Sequence, residues 1–265
     1  MNRISIGLLF SLALALGGCG IFGGDNDPTR DWSAAKLYSE AKSELQDGNY
    51  EHAAKLYESL QSRYPYGTYS QQAELEQIYA YYKQNETASA ISAADRFIKA
   101  HPNHPGVDYA YYLKGLANFH DDLGFMGIFT SQDLAERDAK PTRDAYDTFR
   151  ELVTRFPNSR YAEDARARMI YLVNALARNE VFKAGYYYRR QAYLAAVDRA
   201  QIVVKSYPKS PEVEEALFIM YKSYESLGLT DLQNDTLRVI NLDFPNSPYL
   251  TGKSRIDKPW WRVFW

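Results

Sequence analysis

The 265-residue sequence predicts an all-α fold, a helical solenoid of about five helix–turn–helix repeats. Three observations predict it. Long segments carry apolar residues at helical spacing, and few segments alternate as strands do. A short stop recurs at Tyr64-Pro65, His101-Pro102, Phe156-Pro157, Tyr207-Pro208 and Phe244-Pro245. Its prolines are spaced by 37, 55, 51 and 37 residues, periods that belong to stacked repeats and that interrupt any sustained heptad.

The elements follow in chain order. Arg3 is the only charge before Asp25, and Ile4 to Leu16 is an almost unbroken apolar run. A short basic region, an apolar run of this length and small residues before a cut describe a secretory signal, too short to be an ordinary spanning helix. The Leu16-Gly17-Gly18-Cys19 ending resembles a bacterial lipobox, in which cleavage at residue 18 leaves Cys19 as the acylated first residue. Gly17 departs slightly from that pattern, whose slot more often holds Ala, Ser or Thr. Cys19 is the single cysteine, which excludes an internal disulfide framework and a Cys-cluster metal site. Among lipoproteins, Gly20 in place of Asp implies onward transfer to the outer membrane. Residues 19–31 read as a flexible tether, Gly/Asp/Asn/Pro-rich and able to span roughly 40 Å when extended.

Residues 32–250 form the repeat domain. Trp32 to Asp47 places Ala35, Leu37, Tyr38, Ala41 and Leu45 near one stripe, and Gly48-Asn49 ends it. Glu51 to Arg63 is the next helix, closed by Pro65. The same pairing gives units at about 32–66, 71–103, 106–158, 159–209 and 211–246, the third stretched by an insertion near 121–141 and the fourth by longer helices. The 37-residue spacings lie close to the 34-residue tetratricopeptide (TPR) unit, whose helices meet through small residues. Aligned on the prolines, Ala41, Ala53, Ala145 and Gly228 supply small residues and Tyr57, Phe149 and Tyr224 large ones, with Tyr221 at the place of Ala41. The tail, 251–265, ends in Lys258-Pro259-Trp260-Trp261-Arg262-Val263-Phe264-Trp265. It reads as a cover for the last repeat, as an aromatic-ended segment competing for a substrate groove, or as a partner-binding tail.

With 31 Lys+Arg against 33 Asp+Glu, the chain lacks the basic footprint of a nucleic-acid binder. Its 46% hydrophobic and 24% charged residues exclude global disorder. The histidines are His52, His101, His104 and His120, with no H-E-x-x-H pattern. His101 and His104 flank Pro102 at a spacing that could hold a metal, but no third ligand lies nearby, and turn capping is the expected role. No G-x-S-x-G, Walker A or dinucleotide-binding pattern occurs, and Gly124-Phe125-Met126-Gly127 is a bare loop signal. The sequence thus predicts no enzyme, no catalytic residues, no cofactor and no metal. The 23 tyrosines are more informative. A large ring with a polar tip suits a wet interface or a peptide groove. Tyr57, Tyr221 and Tyr224 are expected in helix contacts, whereas the run Tyr186-Tyr187-Tyr188 must turn at least one ring out of the seam.

The strings Arg63-Tyr64-Pro65-Tyr66-Gly67-Thr68-Tyr69-Ser70-Gln71-Gln72 and Ile78-Tyr79-Ala80-Tyr81-Tyr82-Lys83, with Phe156 to Met169 and Gly185 to Ala200, resemble the BamD (ComL/YfiO) family of lipoproteins of the outer-membrane β-barrel assembly machine. The likeness spans nearly the whole chain but leaves out Lys253 to Trp265. It implies a non-enzymatic scaffold, lipid-anchored through Cys19 on the periplasmic face of the outer membrane. It also implies that the C-terminal half binds the periplasmic domains of the barrel subunit BamA, that the lipoproteins BamC and BamE attach, and that the N-terminal repeats receive unfolded outer-membrane proteins by an aromatic-ended signal. On this reading Tyr64, Tyr66 and Tyr69 line the substrate groove and Arg63 takes a terminal carboxylate. Asp198 and Arg199 contact BamA, unless Arg199 is spent in an intrachain ion pair. A periplasmic TPR coordinator of cell-wall synthesis shares the architecture; Cys19 and the Gly185 to Tyr193 segment argue against it.

Overall fold

The computed structural model describes residues 27–123 and 139–250, without the side chains of 120–123. The leader, Cys19, most of the insertion and the aromatic tail lie outside the described residues. Ten helices and no strand occur among the described residues. They are α1 (Ala34–Gln46), α2 (Tyr50–Arg63), α3 (Thr68–Lys83), α4 (Thr87–Ala100), α5 (Val107–Leu123), α6 (Lys140–Arg155), α7 (Ala162–Arg189), α8 (Tyr193–Ser206), α9 (Val213–Leu227) and α10 (Thr230–Asp243). They form five pairs in series. Each helix packs on its chain neighbours, and first helices also touch along the stack: α1 with α3, α3 with α5, α7 with α9.

The proline stops set this arrangement. Tyr64, His101, Phe156, Tyr207 and Phe244 each end a second helix, donating the backbone N–H to the carbonyl four residues earlier at 2.7–2.9 Å. Each then leaves the helix with φ near −130° and positive ψ, the conformation a following proline imposes. Ser159, Ser210 and Ser247 close the next turn by donating N–H to the ring residue's carbonyl. Within pairs the turns are tighter, and Gly228 caps α9 in the left-handed region at φ 69°.

Small residues let the helices approach, as the repeat register requires. Ala41, Ala53, Ala73, Ala145, Ala196, Ala200 and Ala216 are fully buried. Tyr57 and Tyr224 are buried and Tyr221 half-buried in helix contacts, as the register predicts. The core falls into three stretches: a first around Leu37, Tyr57 and Leu60, a central one from Leu75 to Leu172, and a last from Ala177 to Ile240. The central and last stretches change over within α7. That helix runs for 28 residues, so the extra length of the fourth unit sits in one helix and not in both.

Candidate functional site

The first helices face inward along the stack. Their inner face and the turns that precede them form a groove of about 690 Å³ shared by the first three pairs and the start of α7. α3 supplies Gln72, Leu75, Glu76 and Tyr79, the start of α5 supplies Asp108 and Tyr109, and the α6–α7 turn supplies Asn158, Ser159, Arg160 and Tyr161. Residues 72, 75, 76 and 79 recur at three and four, so one side of α3 makes the wall.

The aromatic floor is built by stacking. Tyr161 lies between Tyr112 and Tyr109, with ring centroids 4.6 and 5.2 Å away and planes within about 23° of parallel. The Tyr109 hydroxyl titrates well above the usual phenol range, first because it is buried and then because Tyr161 and Tyr79 crowd it. Asp108 ties two turns together: Ser159 Oγ donates to Asp108 Oδ2 at 2.6 Å. Among the described residues that line the groove, Arg160 alone is basic. It is exposed, lies over the Tyr161 ring at 4.7 Å and donates to its hydroxyl.

Glu76 is the polar centre of the N-terminal end. Tyr57 Oη donates to Oε2 at 2.5 Å; Tyr38 Oη and Gln72 Nε2 donate to Oε1 at 2.8 and 3.0 Å. Lys42 Nζ stands 3.8 Å from the same carboxylate. Burial and this carboxylate hold both tyrosines neutral, raising them above the ordinary phenol range.

None of Arg63, Tyr64, Tyr66 and Tyr69 is among the lining residues. Arg63 folds back on the N-terminal segment, paired with Asp27 and donating to the Thr29 carbonyl and hydroxyl. Hydrogen bonds from the Thr29 hydroxyl and N–H, and then Arg63, hold the Asp27 carboxyl below its ordinary value. Tyr64 Oη donates to the Trp32 carbonyl at 2.9 Å. Tyr66 stands 92% exposed. Tyr69 lies 5.4 Å from the Tyr38 ring, and so reaches the groove through Tyr38 and Glu76. Tyr79 and Tyr109 belong to the clusters the sequence shows, but nothing in the sequence alone joins them to Arg160, 51 residues beyond Tyr109.

In the C-terminal half, Asp198 is exposed and Arg199 is half-exposed, paired with the buried Glu180 at 3.2 Å. Tyr186 turns its ring outward at 45% exposure, whereas Tyr187 and Tyr188 pack on the last core. His104 Nδ1 accepts the Gly106 N–H at 3.0 Å and so caps its turn, while His101 Nε2 pairs with Glu74 at 3.2 Å. Burial, then His101, lower His104. Among the described residues no group of three His, Cys, Asp or Glu could hold a metal, and no helix is long and apolar enough to cross a membrane.

Residues 30–240 match the family described as YfiO, outer membrane lipoprotein. The chain is 48% identical over 262 residues to the outer membrane protein assembly factor BamD of Neisseria meningitidis serogroup A, covering 97% of this chain and 98% of that one. The BamD of Neisseria gonorrhoeae matches at the same identity and coverage. That of Vibrio cholerae is 38% identical over 234 residues, covering 88% of this chain and 95% of its own. With matches that run through all five helix pairs, the chain belongs to the YfiO (BamD) family of outer membrane lipoproteins.

Proposed function

We propose that the protein is a non-enzymatic scaffold of outer-membrane protein assembly, held on the periplasmic face by lipid on Cys19. Its relatives carry the name outer membrane protein assembly factor. In this role the N-terminal groove receives unfolded barrel proteins, and the C-terminal half docks on BamA, with Asp198 as the exposed contact and BamC and BamE as companions. The groove's composition carries the reading: half-buried rings with a single basic residue at the rim. A terminal aromatic ring would stack on Tyr79 and Tyr109 while the chain-end carboxylate pairs with Arg160. Tyr66 and Tyr69, on the turn and first helix turn of the preceding repeat, would touch the peptide further from its end. Nothing in such a site needs a nucleophile or a cofactor. Binding free energy alone orders the substrate.

A peptide-binding cycle tests it. A soluble peptide ending in Phe should bind the intact protein about ten-fold more tightly than its C-terminal amide. Arg160→Gln should abolish that difference, while Tyr109→Ala should weaken both peptides. Equal affinity for acid and amide in the intact protein, with Tyr109→Ala also silent, would remove the groove from the proposed function.

A further inference from the structure

The turn that ends α10 is another copy of the turns that launch the fourth and fifth helix pairs. At Phe156 the Ser159 N–H bonds the Phe156 carbonyl at 3.0 Å, and α7 begins six residues after Phe156, at Ala162. At Tyr207 the Ser210 N–H bonds its carbonyl at 2.9 Å, and α9 begins six residues on, at Val213. At Phe244 the Ser247 N–H bonds its carbonyl at 3.0 Å, and six residues on is Leu250, the last residue described. The packing repeats as well. Tyr161 stacks on Tyr112, the sixth residue of α5; Tyr249 stacks on Phe218, the sixth residue of α9, at 5.8 Å and 28°. Tyr249 Oη also donates to Glu215 at 3.1 Å. The backbone at Leu250 is thereby anchored where a further element would join the stack.

The last pair presents an uncovered apolar side among the described residues. Leu232, Val239 and Leu242 are 46%, 39% and 79% exposed, and their spacing of seven and three puts them on one stripe of α10. Aligned on the proline stops, the place of Leu242 is held by Lys99, Thr154 and Lys205 in the three preceding pairs. A leucine at a position that is otherwise polar marks a surface meant for burial. Asp231, Asp235 and Asp243 surround the stripe against Arg238 alone, whereas Lys253, Arg255, Lys258 and Arg262 of the tail face only Asp257. Ten extended residues from Leu250 to Trp260 reach about 33 Å, more than the roughly 21 Å length of α10.

We propose that residues 251–265 fold back over this stripe and close the C-terminal end of the solenoid, with the tail tryptophans against Leu232, Val239 and Leu242. The tail is then a built-in cap. Its cationic residues meet the aspartates of α10.

Tryptophan emission tests this in the full chain. The chain has 4 Trp, and replacing Trp32 by Phe leaves only Trp260, Trp261 and Trp265, all in the tail. Their emission should be blue-shifted and should move red when Leu242→Asp is added. Hydrogen exchange gives the second readout: α10 amides should exchange about ten-fold more slowly in the full chain than in one ended at Leu250. Leu242→Asp in the full chain should reproduce the truncation. Solvent-exposed emission indifferent to Leu242→Asp would overturn the proposal. Protection that appears only at high concentration, with a doubled mass, would assign the stripe to a second copy instead. Unchanged α10 exchange with a rise in groove affinity for the aromatic-ended peptide would send the tail to the groove.

Discussion

The Arg199 guanidinium reaches from α8 to the Glu180 carboxylate on α7, Nη1 to Oε2 at 3.2 Å, while Lys183 takes Oε1 at 2.9 Å. Glu180 is buried, and these two cations are its ion-pair partners. Reversing Arg199 therefore acts on the fold before it acts on any partner. Arg199→Glu should lower stability by about 3 kcal/mol, in contrast to an exposed pair, whose loss is nearly silent. Asp198→Ala should leave the urea midpoint unchanged. A midpoint insensitive to Arg199→Glu would release Arg199 for a purely external role.

Glu76 joins two helix pairs through hydroxyls. Glu76→Ala leaves the buried Tyr57 hydroxyl without its acceptor and should cost about 2 kcal/mol. Tyr57→Phe in the same background should recover part of that loss. Additive losses in the double variant would mean that the two groups act independently.

The fold should be lost in alkali. Tyr111 and Tyr112 are each pushed up to about 12, first by burial and then by hydrogen bonds to Glu151 and Asp164. Unfolded tyrosine ionises near 10. The folded state therefore holds protons that the unfolded state releases. The stabilisation is complete below about pH 10 and declines as pH rises from there towards 12. Urea midpoints measured across that window should fall, and the double change Tyr111→Phe, Tyr112→Phe should flatten the decline.

Gly115 lies on α5 against Phe149 of α6, where an added Cβ would overlap the ring. Phe149 is fully buried and cannot swing out. Gly115→Ala should destabilise by about 2 kcal/mol despite its better helix propensity. A gain in melting temperature would show that the α5–α6 contact has slack.

Cys19→Ala should leave the helical body folded, since the described body begins at Asp27. Membrane fractions from cells lacking the barrel subunit should lose the variant on a salt wash and keep the unaltered protein. Retention of the variant would place the anchor elsewhere.

The sequence disclosed the helices and their pairing because both are written in near neighbours. Apolar spacing of three and four, small residues at the packing positions and a proline after every second helix act within one unit. The five units and the buried Tyr57 and Tyr224 were legible on that basis, as was an outward ring in the run Tyr186-Tyr187-Tyr188, but that it is Tyr186 was not. The turn-capping place of His104 was legible as well, from its neighbour Pro102. The family strings are likewise contiguous and needed no coordinates.

Relationships across units were decided only by the tertiary structure. Tyr64, Tyr66 and Tyr69 cluster in sequence, yet the groove gathers Tyr79, Tyr109 and Arg160 from three different pairs. Arg63 is drawn to Asp27, and within one pair Arg199 to Glu180, choices made by distance after folding. The physical reason is that periodicity fixes which face of a helix is buried, whereas the rotation between successive pairs fixes which exposed faces meet. That rotation is set where helices of successive pairs touch, α1 on α3, α3 on α5 and α7 on α9, a sum of many small contacts that no local motif records.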